Sequence, residues 1–417
     1  MIKHNFSTLF IFVLLLSSQA IWGQKNFQKR NFADMYDYNK TQLHPLFQCY
    51  HDKDSSSLLF YQIDYSELTY NTESKDIHKA RVHIYYEIYY NYKAKNLLDS
   101  GSVFLTDTAN YKLDNSSIGF FNIPISYPNK YVVYLKVTDL NSKNNIEKIL
   151  DINKTDHYNA QNFYLKGDDN LPLLQSYVNK MQPFQLISQQ NQDSYINIRY
   201  FKPNNIIARP PMLSPGNVNR IIRADTNYIV QFNEGYSNLI KLQDQGYYFF
   251  YFKQKPNEGY TLFQFASHFP YVTNPMQMLM PLRYISSKKE FLKLFKSKNK
   301  KVAIEQFWIK ISGGKERAKS MIKLYYNRVQ NANIFFTSDK EGWMTDRGMI
   351  YIIYGAPDIV YHDAKMETWK YGGSNSSQKI SFDFYKSDNP FTTNEYILQR
   401  NINYALSWNK AIEIWRR

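Results

Sequence analysis

The chain has 417 residues, more than one hydrophobic core organises, so two or three domains are expected. Apolar residues make up 43% and aromatic residues 17%, with 37 Tyr and 28 Phe, which excludes a disordered chain and leans toward pleated, half-buried surfaces. The 51 basic against 36 acidic side chains give a formal charge of +15, suited to anionic partners, and with no nucleic-acid motif beside it nucleic acid is set aside.

The N-terminus reads as a secretory signal peptide over residues 1–23. It has a basic start at Lys3, an apolar core from Leu9 to Leu16, and small residues after it, with cleavage expected after Ala20 or Gly23. No later segment is long enough to span a membrane, so the mature chain is expected to be exported without a transmembrane segment. Its expected place is the periplasm or the outer membrane's surface. Residues 24–44 lack periodicity and read as an exposed polar linker. The single cysteine, Cys49, rules out an internal disulfide and reads as a buried structural thiol beside His51. The stretch His51-Asp52-Lys53-Asp54 lacks the Gly and the distant Glu of a calcium loop, so it reads as a surface turn.

Residues 45–155 show a period of two. Val82, Ile84, Tyr86, Ile88 and Tyr90 share one face of a strand, and Val133, Leu135 and Val137 share one face of another. Turn clusters such as Asp114-Asn115-Ser116-Ser117 separate them, and the spacing predicts an immunoglobulin-like β-sandwich. Residues 156–273 repeat this texture and predict a second sandwich. Its clearest feature is a hairpin, "GYYFFYFKQ" and "GYTLFQFASHF", turned by Pro256-Asn257-Glu258-Gly259. Between its strands, "ARPPMLSPGN" must be a loop or a sheet edge.

The pattern changes over residues 274–417. Ser287 and Glu290 have the spacing of a capping box, Ile304, Phe307, Trp308 and Ile311 recur at helical spacing, and a longer helix is predicted from Lys315 to about Ala332. The lysine run from Lys296 to Lys301 falls between two helices and reads as a solvated loop. Strands return in "ETWKYGG", "KISFDFY" and "NEYILQR". The predicted fold is therefore mostly β with a C-terminal α+β domain: two tandem immunoglobulin-like sandwiches, then helices followed by a small sheet.

One stretch in this last region stands out, "EGWMTDRGMIYIIYGAPD". Met349 to Tyr354 reads as a strand, with Gly348 and Gly355 supplying backbone angles that other residues avoid. Pro357 fixes the turn before Asp358, and Trp343 and Trp369 are expected as core anchors. Asp346 and Arg347 point apart, so each should find another partner: backbone N–H groups of its own turn for Asp346, and a carboxylate or helix C-terminus for Arg347.

Gly342-Trp343-Met344-Thr345-Asp346, with Arg347-Gly348 and Gly355-Ala356-Pro357-Asp358, resembles the signature of the GWxTD domain family. Phe307-Trp308, "YYNRVQNAN" and Glu367-Thr368-Trp369-Lys370-Tyr371-Gly372 extend the likeness over roughly Pro281 to Arg400. The resemblance implies an exported envelope protein of a Gram-negative bacterium and brings no established activity with it.

The residues themselves favour a non-catalytic role. No nucleophile, metal-ligand spacing or phosphate-cradling loop accompanies the signature, so neither metal nor cofactor is expected. The expected function is binding or scaffolding toward another envelope protein or an anionic glycan. The alternative is a polysaccharide or peptidoglycan hydrolase or lyase that pairs Asp346 with Asp358 or Glu367. The sequence leaves the oligomeric state open.

Overall fold

A computed structural model describes residues 27–40, 42–74, 77–109, 116–189, 191, 193–215, 223–373 and 379–417. The expected signal peptide, with Lys3, Leu9–Leu16, Ala20 and Gly23, lies outside them, as do Asp114 and Asn115. The chain divides into two compact units. Among the described residues the first holds 27–29 and 37–156, and the second holds Arg30–Tyr36 and His157–Arg417.

In the first unit the period-two segments become two antiparallel sheets. One has three strands in the order Leu46–Tyr50, Ser57–Asp64 and Ser116–Ile123. The other runs Asn71–Ser74, Ile77–Tyr89, Asn129–Asp139 and Asn145–Lys154, with Asp99–Ala109 also paired to Ile77–Tyr89. Leu59, Tyr61 and Ile63 of the first sheet meet Val82, Ile84, Ile88, Val133 and Leu135 of the second in one core, as a sandwich requires. The other face of Ile77–Tyr89 is partly buried as well. Tyr85 and Tyr89 donate to the buried carboxylate of Glu87 at 2.9 Å each, and Phe27 packs edge-on against Tyr89 at 4.9 Å.

Cys49 is buried, and burial pushes its thiol up to about 12. The neighbouring segment bends at the surface as expected, with Lys53 and Asp54 exposed, but its first residue turns inward. His51 is buried against Ser57 Oγ at 2.8 Å and the Asn153 carbonyl at 3.0 Å. Lys154 reaches under the turn and donates to the carbonyls of Lys53, Ser56 and Ile125 and to Ser57 Oγ. A buried ammonium is tolerated only with such a set of acceptors.

In the second unit the second β region forms one continuous ten-stranded sheet. Leu165, Phe184 and Leu186 from one end share a core with Ile198, Phe250 and Leu262 from the other, so the sheet folds over on itself. The predicted hairpin is present: Gly246–Tyr251 pairs antiparallel with Tyr260–Gln264. Gly246–Tyr251 is buried on both faces. Tyr248 and Phe250 face that core, whereas Tyr247 and Phe249 join Phe201 and Phe263 in a second cluster against which Phe391 packs. Phe391 comes from the C-terminal region, which packs against the folded sheet within the one unit.

Among the described residues six α-helices follow: α1 (Pro275–Leu279), α2 (Lys288–Lys296), α3 (Lys300–Ser312), α4 (Lys315–Phe336), α5 (Asp346–Tyr354) and α6 (Tyr404–Trp415). Ser287 and Glu290 form the predicted capping box of α2. Between α5 and α6 stands an antiparallel four-stranded sheet in the order Ile359–His362, Met366–Tyr371, Ile380–Lys386 and Tyr396–Leu398. The chain is thus mostly β, ending in helices followed by a small sheet. Among the described residues no helix is long and apolar enough to cross a membrane.

Candidate functional site

The signature begins where the end of α4 and the next turn come unusually close. A Cβ on Gly342 would lie 1.9 Å from the Ala332 carbonyl oxygen, so only glycine lets the turn touch the backbone of α4. Side chains at the end of α4 and just after it hold it there. Asn333 accepts the Trp343 N–H at 3.1 Å and donates to the Pro270 carbonyl at 3.0 Å, while Thr337 Oγ1 accepts the Gly342 N–H at 3.1 Å. Trp343 is buried, and its ring N–H donates to Glu341 at 2.7 Å.

Thr345 then starts α5. Its hydroxyl accepts the Gly348 N–H at 3.0 Å and donates to the Gly342 carbonyl at 2.7 Å, which caps the helix and ties it back to the turn. Gly348 lies within α5 in ordinary helical backbone. Its role is space, because a Cβ there would sit 1.9 Å from the Gly342 carbonyl oxygen. The expected strand Met349–Tyr354 is therefore helical, and Gly348 supplies a close approach instead of an unusual angle. Gly355 does take the left-handed region, with φ +91, and ends the helix. Arg328 of α4 donates to the Ile352 and Ile353 carbonyls, placing a positive charge at the negative end of α5.

Asp346 and Arg347 point apart, each to its own partners. Arg400 grips Asp346 with two bonds, at 2.8 and 2.5 Å, and the Leu398 N–H adds a third at 2.9 Å. These partners lie some fifty residues on, not in the turn of Asp346 itself; Thr345 caps that turn. The carboxylate also sits at the N-terminus of α5, where the helix favours negative charge.

Arg347 is buried. It donates to Glu367 Oε1 at 3.0 Å, to the Asn394 carbonyl at 2.8 Å and to the Asn394 side chain, and lies over the Tyr396 ring at 4.1 Å. Glu367 is buried as well. It accepts from Arg347, from Tyr36 at 2.8 Å, from His362 at 3.0 Å and from the Trp369 ring N–H at 3.0 Å. Burial opposes its charge, but Arg347 and His362 prevail and hold the carboxyl down at about 2. Burial, then the neighbouring Glu367, pushes the Tyr36 hydroxyl well up, so Tyr36 remains a neutral donor. Glu367 is thus a fixed anion with its oxygens engaged.

Tyr36 comes from the segment expected to be an exposed linker. Phe32 donates its N–H to the Val360 carbonyl at 2.8 Å, and Asn31 accepts the Val360 N–H and donates to the Asp358 carbonyl. Phe32, Ala33 and Tyr36 are buried, and Tyr36 stacks among Phe336 and Trp369 at 5.1 and 5.4 Å. The polar appearance of residues 24–44 misled because a few scattered apolar side chains that dock at distant places need no periodicity.

Residues 246–417 match the family model of the GWxTD domain. The chain carries a GWxTD domain. The matched span opens at Gly246 and so takes in the last hairpin of the β region as well as the helices and the small sheet. No curated protein matches the chain. Among solved structures, a crystal structure of red sea bream transglutaminase is 8% identical, with a TM-score of 0.19, over 54% of this chain and 32% of that chain. So low a score carries no argument for fold or activity.

Within the GWxTD domain the structure brings Arg347, Glu367 and Trp369 into one network and sends Asp346 to another. Asp358 is exposed and accepts the Gly372 N–H at 2.8 Å, and Pro357 is buried in the turn before it. Among the described residues, no three of His, Cys, Asp and Glu converge to hold a metal ion. Sequence reasoning missed Tyr36, Asn333, Asn394 and Arg400. The Glu367–Trp369 contact had a local signal, since residues two apart on a strand share a face.

Proposed function

We propose that this is an exported cell-envelope protein whose GWxTD domain is a rigid mount for binding another envelope protein or an anionic glycan. The observation that supports this reading is the saturation of the signature's charges from within. Asp346 is taken by Arg400 and Leu398, and Glu367 by four donors. An acid or base catalyst needs an oxygen free to meet substrate and a pKa near the working pH. Glu367, held at about 2, fits neither need. The apolar leader supports export, and the charge of +15 supports an anionic partner.

The test is capture from an envelope extract by the immobilised chain, with a surface-scrambled control. A reproducible envelope partner or acidic glycan is the expected result. No enrichment over the control counts against binding, and release of cleaved glycan from the same extract overturns the non-catalytic part.

A further inference from the structure

Helix α2 carries a surface that the signature does not explain. Its sequence, "KKEFLKLFK", buries Leu294 and half-buries Phe291 and Glu290. At about 3.6 residues per turn, the opposite side presents Lys288, Leu292 and Lys296 in one row. Lys289 and Lys293 flank the row on one side and Phe295 on the other. Leu292 and Phe295 are 43% and 44% exposed, so two apolar side chains stand in solvent beside four lysines. The helix's one acid, Glu290, is turned to the inner side, where Arg416 binds it at 2.8 and 3.0 Å. The turn into α3 and the first turn of that helix continue the pattern with exposed Lys298, Lys301 and Val302. The run expected to be a plain solvated loop is thus the edge of a basic, partly apolar face.

We propose that this outward face of α2, with the turn into α3, docks on an anionic lipid bilayer. Leu292 and Phe295 enter the boundary between headgroups and acyl chains, and the lysines meet the lipid phosphates. Charge complementarity selects an anionic occupant. The exposed Leu and Phe select lipid over a soluble polyanion, because they gain nothing from a hydrated sugar chain but leave water on entering a bilayer. The cations are lysines, point charges without the planar fork by which arginine reads a specific anion, as suits a fluid surface. This inference stands apart from the proposed partner of the GWxTD signature and uses none of its residues.

A label placed by Leu292→Cys in the full chain tests it, since Cys49 is buried with its thiol raised to about 12 and leaves the new cysteine as the reactive site. A polarity-sensitive fluorophore there should shift to the blue with phosphatidylglycerol–phosphatidylcholine vesicles. It should not shift with pure phosphatidylcholine or with dextran sulfate, and the shift should fade as salt rises. Co-sedimentation of the unlabelled chain is the second readout. Lys289→Ala with Lys293→Ala should lower its preference for anionic over neutral vesicles about 25-fold, at about fivefold per lysine. An absent shift with anionic vesicles, an equal shift with dextran sulfate, or an unchanged vesicle preference in the lysine variant would each overturn the proposal.

Discussion

Glu367→Gln changes one atom of shape and removes the charge on which the buried network converges. The amide keeps one oxygen and replaces the other with NH2, so either Trp369 at one oxygen or Arg347, Tyr36 and His362 at the other meet a donor, and the Arg347 guanidinium is left buried without its counter-charge. Removing one member of a buried pair costs about 3–5 kcal/mol. The Arg347 and His362 charges that hold the carboxyl from 4.5 down to about 2 correspond to a similar figure, about 3 kcal/mol of stability. Because the folded pKa is the lower one, that contribution is complete above pH 4.5 and is lost as pH falls through about 2. Trp308, Trp343, Trp369, Trp408 and Trp415 all lie in the second unit, so tryptophan emission during urea unfolding reports on that unit. At pH 7 the variant should unfold about 3–5 kcal/mol more easily than the parent, and its stability should fall less between pH 4.5 and 2. A loss under about 1 kcal/mol at pH 7, or an acid slope equal to the parent's, would refute the reasoning.

Gly342→Ala forces a methyl toward the Ala332 carbonyl, 1.9 Å away, and should cost about 1–3 kcal/mol or more, whereas Gly314→Ala meets nothing within 4 Å and should cost far less. Comparing the two melting temperatures checks this. Thr345→Ala removes both the cap of α5 and its tie to Gly342, so urea titration should show a loss of about 0.5–2 kcal/mol. Tyr36→Phe deletes one donor to a buried carboxylate and should cost about 1.5–3 kcal/mol in the same assay. Equal stability of the Phe variant would mean that the N-terminal segment adds only its ring.

Local chemistry made much of the fold legible. The alternation of Val82, Ile84 and Ile88, the turn at Pro256–Gly259, and the capping box of Ser287 and Glu290 each depend on neighbours in sequence, and each is present. Helix α5 was misread for a physical reason: Arg347 through Ile353 are all buried, so the helix shows no polar face and no 3.6-residue period. Its ends were informative nonetheless, with Thr345 as a cap, Asp346 in the first turn and Gly355 at the stop. The charge network was not legible because its members lie far apart. Tyr36 is 331 residues from Glu367, and nothing near Tyr36 in sequence names its receptor. Arg347 was expected to seek a carboxylate, but which one is decided by the register that sets Glu367 in its strand.

The most direct test of the signature as an internal brace is a double-mutant cycle on Arg347→Met and Glu367→Gln, read by urea unfolding and by capture from an envelope extract. If the pair only braces the domain, each single change is strongly destabilising, the double change costs about 1–3 kcal/mol less than their sum, and the folded double variant still captures what the parent captures. Stable single variants that have lost capture or activity would contradict the account, because the two charges would then be acting on something outside the fold.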